Sequence, residues 1–324
     1  MKVGRLIVIL PLLGGLSAQT SAQRGLLLSQ DNLPYLFPLS GNMRWTGTRL
    51  AGCDFCVGGR PILWAVDREG NRETVALEIP EAGYTHVRDV AAGRDGSLTA
   101  VGLAFSGDSR MGTFLAWISP DGARQVVTRV WPYSPNAVTV ASDGTIWTVG
   151  ELMNDTPRVV HPNVLRHYTP SGQLLASTIV RGVRKSSGGE YNVSPTSALM
   201  ASNDRIGWLT MTCQYIEFSL DAVQLESYAC PNGFTSIADV SGFALSSADD
   251  LLIGGRWLEP LAPLVLDRAA STWKPVPVFQ DSGKTQMLLG FDGLTLVTSA
   301  LSTVPGRDWM RRYTWSDEPS VRGQ

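Results

Sequence analysis

Short apolar runs alternate with Asp-Gly and related turn pairs along almost the whole chain. The stretch from Val87 to Gly122 carries the pattern at its clearest: Val-Arg-Asp-Val-Ala-Ala, then Gly-Arg-Asp-Gly, then Ser-Leu-Thr-Ala-Val-Gly, running on to Leu-Ala-Trp-Ile-Ser-Pro-Asp-Gly. Asp95-Gly96 and Asp121-Gly122 supply the positive φ that a tight turn needs, so each half predicts a β-hairpin. Helical periodicity is almost absent.

The hairpins repeat at a fixed interval. An apolar or aromatic residue just before a turn, in what reads as the third strand of each unit, falls at Val66, Ile118, Tyr168, Phe218, Leu266 and Tyr313, with spacings of 52, 50, 50, 48 and 47 residues. Thr46-Gly47, Asp95-Gly96, Asp143-Gly144, Asn203-Asp204, Asp249-Asp250 and Asp292-Gly293 mark an earlier turn in each unit, always followed by a short apolar strand. Six copies of an all-β unit of this length predict a six-bladed β-propeller with four strands per blade. Leu26-Leu27-Leu28, ahead of the first full unit, is placed to supply the outer strand of the last blade, where the chain runs out soon after Trp315. Closure of that kind hides open sheet edges.

Leu251-Leu252-Ile253-Gly254-Gly255-Arg256-Trp257, with Leu266-Asp267 and Trp273, is similar to a kelch repeat, with its double glycine and later tryptophan. The match covers one unit in six. Asp-Gly-Ser-Leu-Thr-Ala-Val-Gly and Asp-Gly-Thr-Ile-Trp-Thr-Val-Gly resemble the Asp-Gly-centred repeats of secreted bacterial propellers, the second also those of the streptogramin lyases. The resemblance implies the fold; activity does not follow from it, because one fold hosts many functions.

Ahead of the repeats lie Lys2 and Arg5, an apolar run from Leu6 to Leu16, and small or polar residues through Ala22. That order is a secretory signal over residues 1–22, leaving a single domain at 23–324 that is extracellular or periplasmic. No later run reaches about 18 apolar residues, so no membrane span is expected. A net charge of -2, from 27 basic and 29 acidic side chains, gives no broad field for nucleic acid. A monomer facing a small polar ligand, a glycan or a protein is the expectation.

Four cysteines in an exported chain suggest disulfides. Cys213 and Cys230 lie at equal distances from Asp221-Ala222, so a hairpin turning there sets them opposite each other within disulfide range. Cys53-Asp-Phe-Cys56 reads as a local loop disulfide; its spacing also matches a redox dithiol, although the βαβ setting of that motif is missing. Two cysteines are too few for a closed zinc site.

The loops leading from one unit into the next place an aromatic at Tyr35, Tyr84, Tyr133, Tyr191, Phe234 and Phe279. A polar or acidic residue follows at Asn42, Asp89, Asn136, Ser197, Asp239 and Gln286. An aromatic collar over a polar ring suits sugars, whose apolar faces stack while their hydroxyls need fixed partners. One aromatic per repeat is equally what packing between blades demands. The ligand-binding set is thus Tyr84, His86, Arg88, Asp89, Tyr133, Asn136, Tyr191, Phe234, Asp239 and Gln286. The longest loop, Arg181 to Ser194, is glycine-rich and locally basic, and is expected over the channel mouth.

Catalytic chemistry is sparse. Of His86, His161 and His167, only His86 falls in a mouth loop, where it suits a general base or a metal ligand. Asp89 and Asp239 suit a hard cation such as calcium, the basis of an alternative reading as a metal-assisted lactonase, lyase or glycan-acting enzyme. Asp281-Ser-Gly-Lys-Thr285 lacks the first glycine of a phosphate loop, and no Gly-x-Ser-x-Gly elbow occurs. Trp64, Trp117, Trp147, Trp208 and Trp257 fall in or beside strands and predict core. With no nucleophile, base and orienting group to assemble, the sequence favours a non-catalytic binding protein without a cofactor; a structural surface module is the third reading.

Overall fold

The computed structural model describes residues 25–34, 44–45, 49–67, 71–106, 111–153, 162–184, 198–234, 240, 242–245, 250–254, 264–275, 286–291, 295–300 and 309–316. The described residues are all-β, without a helix, and form six antiparallel sheets in chain order. The first sheet holds Arg44–Trp45, Leu50–Asp54, Ile62–Val66 and Arg72–Ala76. The second holds Ala82–Ala92, Leu98–Ser106, Met111–Ile118 and Gln125–Arg129, with the short strand Val57–Gly58 added beside Ala82–Ala92. Tyr133–Val140, Ile146–Leu152, Asn163–Tyr168 and Leu174–Ile179 make the third; Ala198–Ala201, Arg205–Leu209, Gln214–Ser219 and Gln224–Ala229 the fourth. The fifth comprises Gly242–Leu245, Leu251–Gly254, Leu264–Asp267 and Thr272–Pro275.

The sixth sheet draws on both ends of the chain. Gln286–Phe291, Thr295–Ala300 and Trp309–Ser316 are completed by Gly25–Pro34, with Leu26 opposite Trp315 and Leu28 opposite Tyr313. The first strands of successive sheets touch in order, and that of the sixth touches that of the first.

The Asp-Gly turns work as their chemistry requires. Asp95 Oδ1 accepts from the Ser97 amide (2.9 Å) and hydroxyl (2.7 Å), and Asp143 Oδ1 does the same with Thr145 (2.9 and 2.6 Å). Gly96 and Gly144 take φ of 91° and 82°, so the Asp-Gly-Ser/Thr triplet is a side-chain-capped turn.

The core lies between sheets. Successive side chains of a strand point to opposite faces, and both faces are covered. Ile146 joins Ala91, Val101 and Leu115 toward the second sheet, whereas Trp147 and Val149 join Leu199, Ile206 and Trp208 toward the fourth. Trp64, Trp147 and Trp208 are buried as expected, while Trp117 is half-buried beneath the Arg124 guanidinium and Trp257 lies outside the described residues.

One irregularity recurs in the first strands. Arg88 is an extra residue between Val87, opposite Gly102, and Asp89, opposite Val101; Asn136 occupies the same place between Pro135 and Ala137, opposite Gly150 and Val149. A bulge swings the backbone over the facing strand. A Cβ on Gly102 would overlap the His86 carbonyl, and one on Gly150 would overlap the Ser134 carbonyl and stand 2.6 Å from Pro135 Cα. The Val-Gly pairs of the repeat are therefore imposed by the bulge, not by a turn.

Cys213 and Cys230 form the expected disulfide, with Cα atoms 5.4 Å apart, across the hairpin whose turn holds Ala222 at φ 61°. Cys53 and Cys56 do not: both are free thiols, with Phe55 at φ 53° between them and the Cys56 thiol donating to the Cys53 carbonyl (2.9 Å).

Gly150→Ala should lower the unfolding free energy by about 1–3 kcal/mol in urea denaturation, the usual cost of overpacking. Gly59→Ala, whose Cβ would meet nothing within 4 Å, should stay within about 0.5 kcal/mol. Equal effects at the two positions would contradict the bulge argument.

Candidate functional site

In each antiparallel sheet the start of the first strand, the end of the second, the start of the third and the end of the fourth lie at one end. In the second sheet that end carries Tyr84, His86 and Arg88, which occupy alternate positions of Ala82–Ala92. Thr85, Val87 and Asp89, on the intervening positions, are buried, while Tyr84 is 43% exposed and His86 and Arg88 are half-buried. The accessible face of this strand is thus a stripe of phenol, imidazole and guanidinium. Val57–Gly58 flanks it, with Val57 opposite His86 and Gly58 opposite Thr85.

Tyr84 packs edge-on against Phe105, ring centroids 5.7 Å apart, which steadies the ring without covering it. The Arg88 guanidinium reaches the third sheet, donating to Ser134 Oγ (2.8 Å), the Pro135 carbonyl (3.3 Å) and Asn136 Oδ1. Burial lowers its pKa from the usual arginine value, and the charge of Glu151 works against that shift. His86 also titrates below the ordinary imidazole value, through burial first and the Arg88 charge second. Glu151 and Asn163, both largely buried, pair across the strands from Ser134 and extend the polar row into the third sheet. The Asn163 side-chain oxygen has no hydrogen-bond partner.

Four expected site residues are placed otherwise. Tyr133 is fully buried; its hydroxyl meets Thr148 Oγ1 (2.9 Å) and the Val164 carbonyl (3.3 Å), and Arg166 stacks on its ring at 4.2 Å. The reason is register. With Arg88 and Asn136 equivalent as bulge residues, Tyr133 matches Thr85 rather than Tyr84, and a one-residue slip moves a side chain to the other face. Asp89 is also buried, its Oδ2 accepting from the Val138 amide (2.8 Å), which ties two sheets together. Asn136, likewise buried, serves as the acceptor for Arg88. Phe234 packs half-buried against the core between the fourth and fifth sheets.

Gln286 opens the sixth sheet opposite Ala300; its side chain lies outside the described residues, as do Tyr191, Asp239 and most of the loop from Lys185. No three His, Cys, Asp or Glu side chains among the described residues come together as a metal site. No helix among them is long and apolar enough to cross a membrane.

Sequence reasoning missed Ser134, Glu151 and Asn163, which carry no motif, although Glu151 and Asn163 are polar positions in otherwise apolar strands. It also missed Glu217, fully buried and held by Arg205 (2.8 Å) and Arg268 (2.6–2.7 Å). That triad joins the fourth and fifth sheets and is structural. No family model matches the chain, and no curated protein matches it.

His86 should titrate below pH 6.5 in an NMR pH series, and Arg88→Gln should raise its value toward 6.5 by removing the adjacent charge. Because the folded value is the lower one, the unfolded chain binds the proton first. The stability contributed by neutral His86 is therefore complete above pH 6.5 and falls as the pH drops toward the folded value. No movement of His86 in the Arg88 variant would separate the two side chains.

Proposed function

We propose that the six sheets are the blades of a six-bladed β-propeller in an exported protein, whose mouth binds a small polar ligand, a glycan first, without catalysing a reaction on it. The blade reading is supported by sheets in strict chain order, by first strands that touch in sequence and return to the start, and by an outer strand borrowed from the other end of the chain. The export reading is supported by the Leu6 to Leu16 run behind Lys2 and Arg5 and by the Cys213–Cys230 disulfide.

The observation that carries the binding reading is the Tyr84–His86–Arg88 stripe. An exposed aromatic face stacks on the apolar side of a sugar ring. Beside it, a guanidinium already oriented by Ser134 and Asn136 donates to hydroxyls with little ordering left to lose. Glu151 and Asn163, both largely buried, continue the polar row behind it at the same end of the next sheet. The metal-assisted alternative has less support, because Asp89 is buried and its Oδ2 already accepts from the Val138 amide.

Thermal unfolding of the full chain against sugars, polyols, lactones and divalent cations, with a chelator control, tests this. A bound sugar or polyol should stabilise the native state by about 2.7 kcal/mol at a hundredfold excess over its Kd. Tyr84→Ala should abolish that response and lower the unliganded midpoint only by the few degrees that loss of the Phe105 contact costs. A response that survives both Tyr84→Ala and Arg88→Gln, or a chelator-reversible calcium shift in place of any sugar response, would overturn the reading.

A further inference from the structure

The cysteine pair at the same end of the molecule is absorbed by neither the fold nor the binding stripe. Cys53 is the last buried residue of Leu50–Asp54, 8% exposed and paired with Leu63. Phe55 then takes a left-handed backbone conformation and brings Cys56 back beside it. The loop is clamped on both sides. Asp54 pairs with Ile62 and its carboxylate is bound by Arg72, while the Cys56 carbonyl accepts from the Val87 amide at 2.7 Å. The two thiols lie close enough to interact, one on a buried residue and one on a half-exposed one, in a segment pinned on both sides.

The surroundings are apolar and uncovered. Phe55 is 74% exposed and Val57 54%, one on each side of Cys56 in the chain, and Tyr84 stands two residues from the His86 that pairs with Val57. Two exposed apolar side chains flanking the half-exposed sulfur suit contact with an apolar segment.

We propose that Cys53 and Cys56 are a thiol–disulfide exchange site whose substrates are disulfides carried on apolar polypeptide segments. Cys56, the half-exposed member, is the attacking sulfur: once it ionises and releases the Cys53 carbonyl, the Cys53 thiol donates to it, which lowers its pKa against the opposing effects of burial and the Asp54 charge. Cys53 is the resolving sulfur, its own pKa pushed up by donating that hydrogen bond and by burial. Such an asymmetry lets one thiolate form while the other proton is retained.

In the exchange, the Cys56 thiolate attacks one sulfur of the substrate disulfide. The Cys56–substrate S–S bond forms, the substrate S–S bond breaks, and the first substrate thiolate leaves and takes a proton from water. Cys53 then gives up its proton to the second leaving sulfur and attacks Cys56, forming the Cys53–Cys56 disulfide and releasing the second substrate thiol. The pair loses two electrons and the substrate disulfide gains them; the reverse sequence oxidises a substrate dithiol. The Cys213–Cys230 bridge takes no part, being buried between the fourth and fifth sheets.

The full chain, equilibrated across a series of reduced to oxidised glutathione ratios and quenched with an alkylating agent, tests the couple by mass spectrometry. Cys53–Cys56 should convert reversibly between dithiol and disulfide while Cys213–Cys230 stays oxidised throughout. A pair that remains in one state across the series overturns the proposal. Cys53→Ser, presented with a synthetic peptide disulfide flanked by Phe and Leu, should accumulate a mixed disulfide at Cys56 at least about tenfold above Cys56→Ser, which keeps only the poorer nucleophile. Equal trapping by the two variants overturns the assignment of roles. The wild-type chain should exchange several-fold faster with that peptide than with a Ser-flanked one, and Phe55→Asn, whose side chain tolerates the left-handed conformation, should erase the preference without slowing exchange with glutathione. Equal rates for the two peptides would overturn the polypeptide substrate class.

Discussion

A strand buried on both faces has no position at which its side-chain pattern can be relaxed, and that constraint governs the middle of the second, third and fourth sheets. Ile146 and Trp147 are neighbours in sequence, yet one fills the space toward the second sheet and the other the space toward the fourth. Turning such a strand over exchanges two packed sets of side chains at once. The sheets are therefore locked in register by their neighbours as much as by their own hydrogen bonds. Polar contacts reinforce the arrangement: Asp89 holds the Val138 amide, Arg268 reaches Glu217, and Trp273 Nε1 donates to the Ala229 carbonyl at 2.9 Å, each spanning two sheets.

That constraint also explains what could be read from the residues alone. The all-β class, the turn pairs at Asp95-Gly96 and Asp143-Gly144, the Cys213–Cys230 staple and the placing of Leu26 to Leu28 against the last strand all follow from local chemistry or simple spacing. What spacing could not convey was a bulge. Aligning Tyr84 with Tyr133 by the nearest match put both on one face, whereas the extra residues at Arg88 and Asn136 set the true correspondence one position away. In a structure of period two, that single step separates a solvent-facing phenol from a core one. The glycines opposite the bulges, Gly102 and Gly150, held the missing information, but their need for space is indistinguishable in sequence from a need for turn geometry.

The site was legible only in part for a related reason. Tyr84, His86 and Arg88 stand close together in the chain and alternate, so their shared face could be inferred. Glu151 and Asn163 reach the same region from two further strands, through pairings of Ser134 with Glu151 and of Glu151 with Asn163 that no motif announces. Cys53 and Cys56 posed the opposite difficulty. Their spacing was plain, but the left-handed turn at Phe55 and the clamp from Val87 decide which sulfur is sheltered and which meets solvent.

The borrowed strand sets an order on how the molecule can be made. Gly25 pairs with Ser316, 291 positions away, so the earliest described segment to be synthesised is among the last to find its partner. Until the final strand emerges, Gly25–Pro34 carries an apolar Leu-Leu-Leu run with no edge to join. The central sheets, each built from contiguous hairpins, face no such delay. Assembly thus divides into rapid local steps and one late, long-range fastening, and a chain cut short before Trp309 would lose the docking place of its own first strand as well as its last.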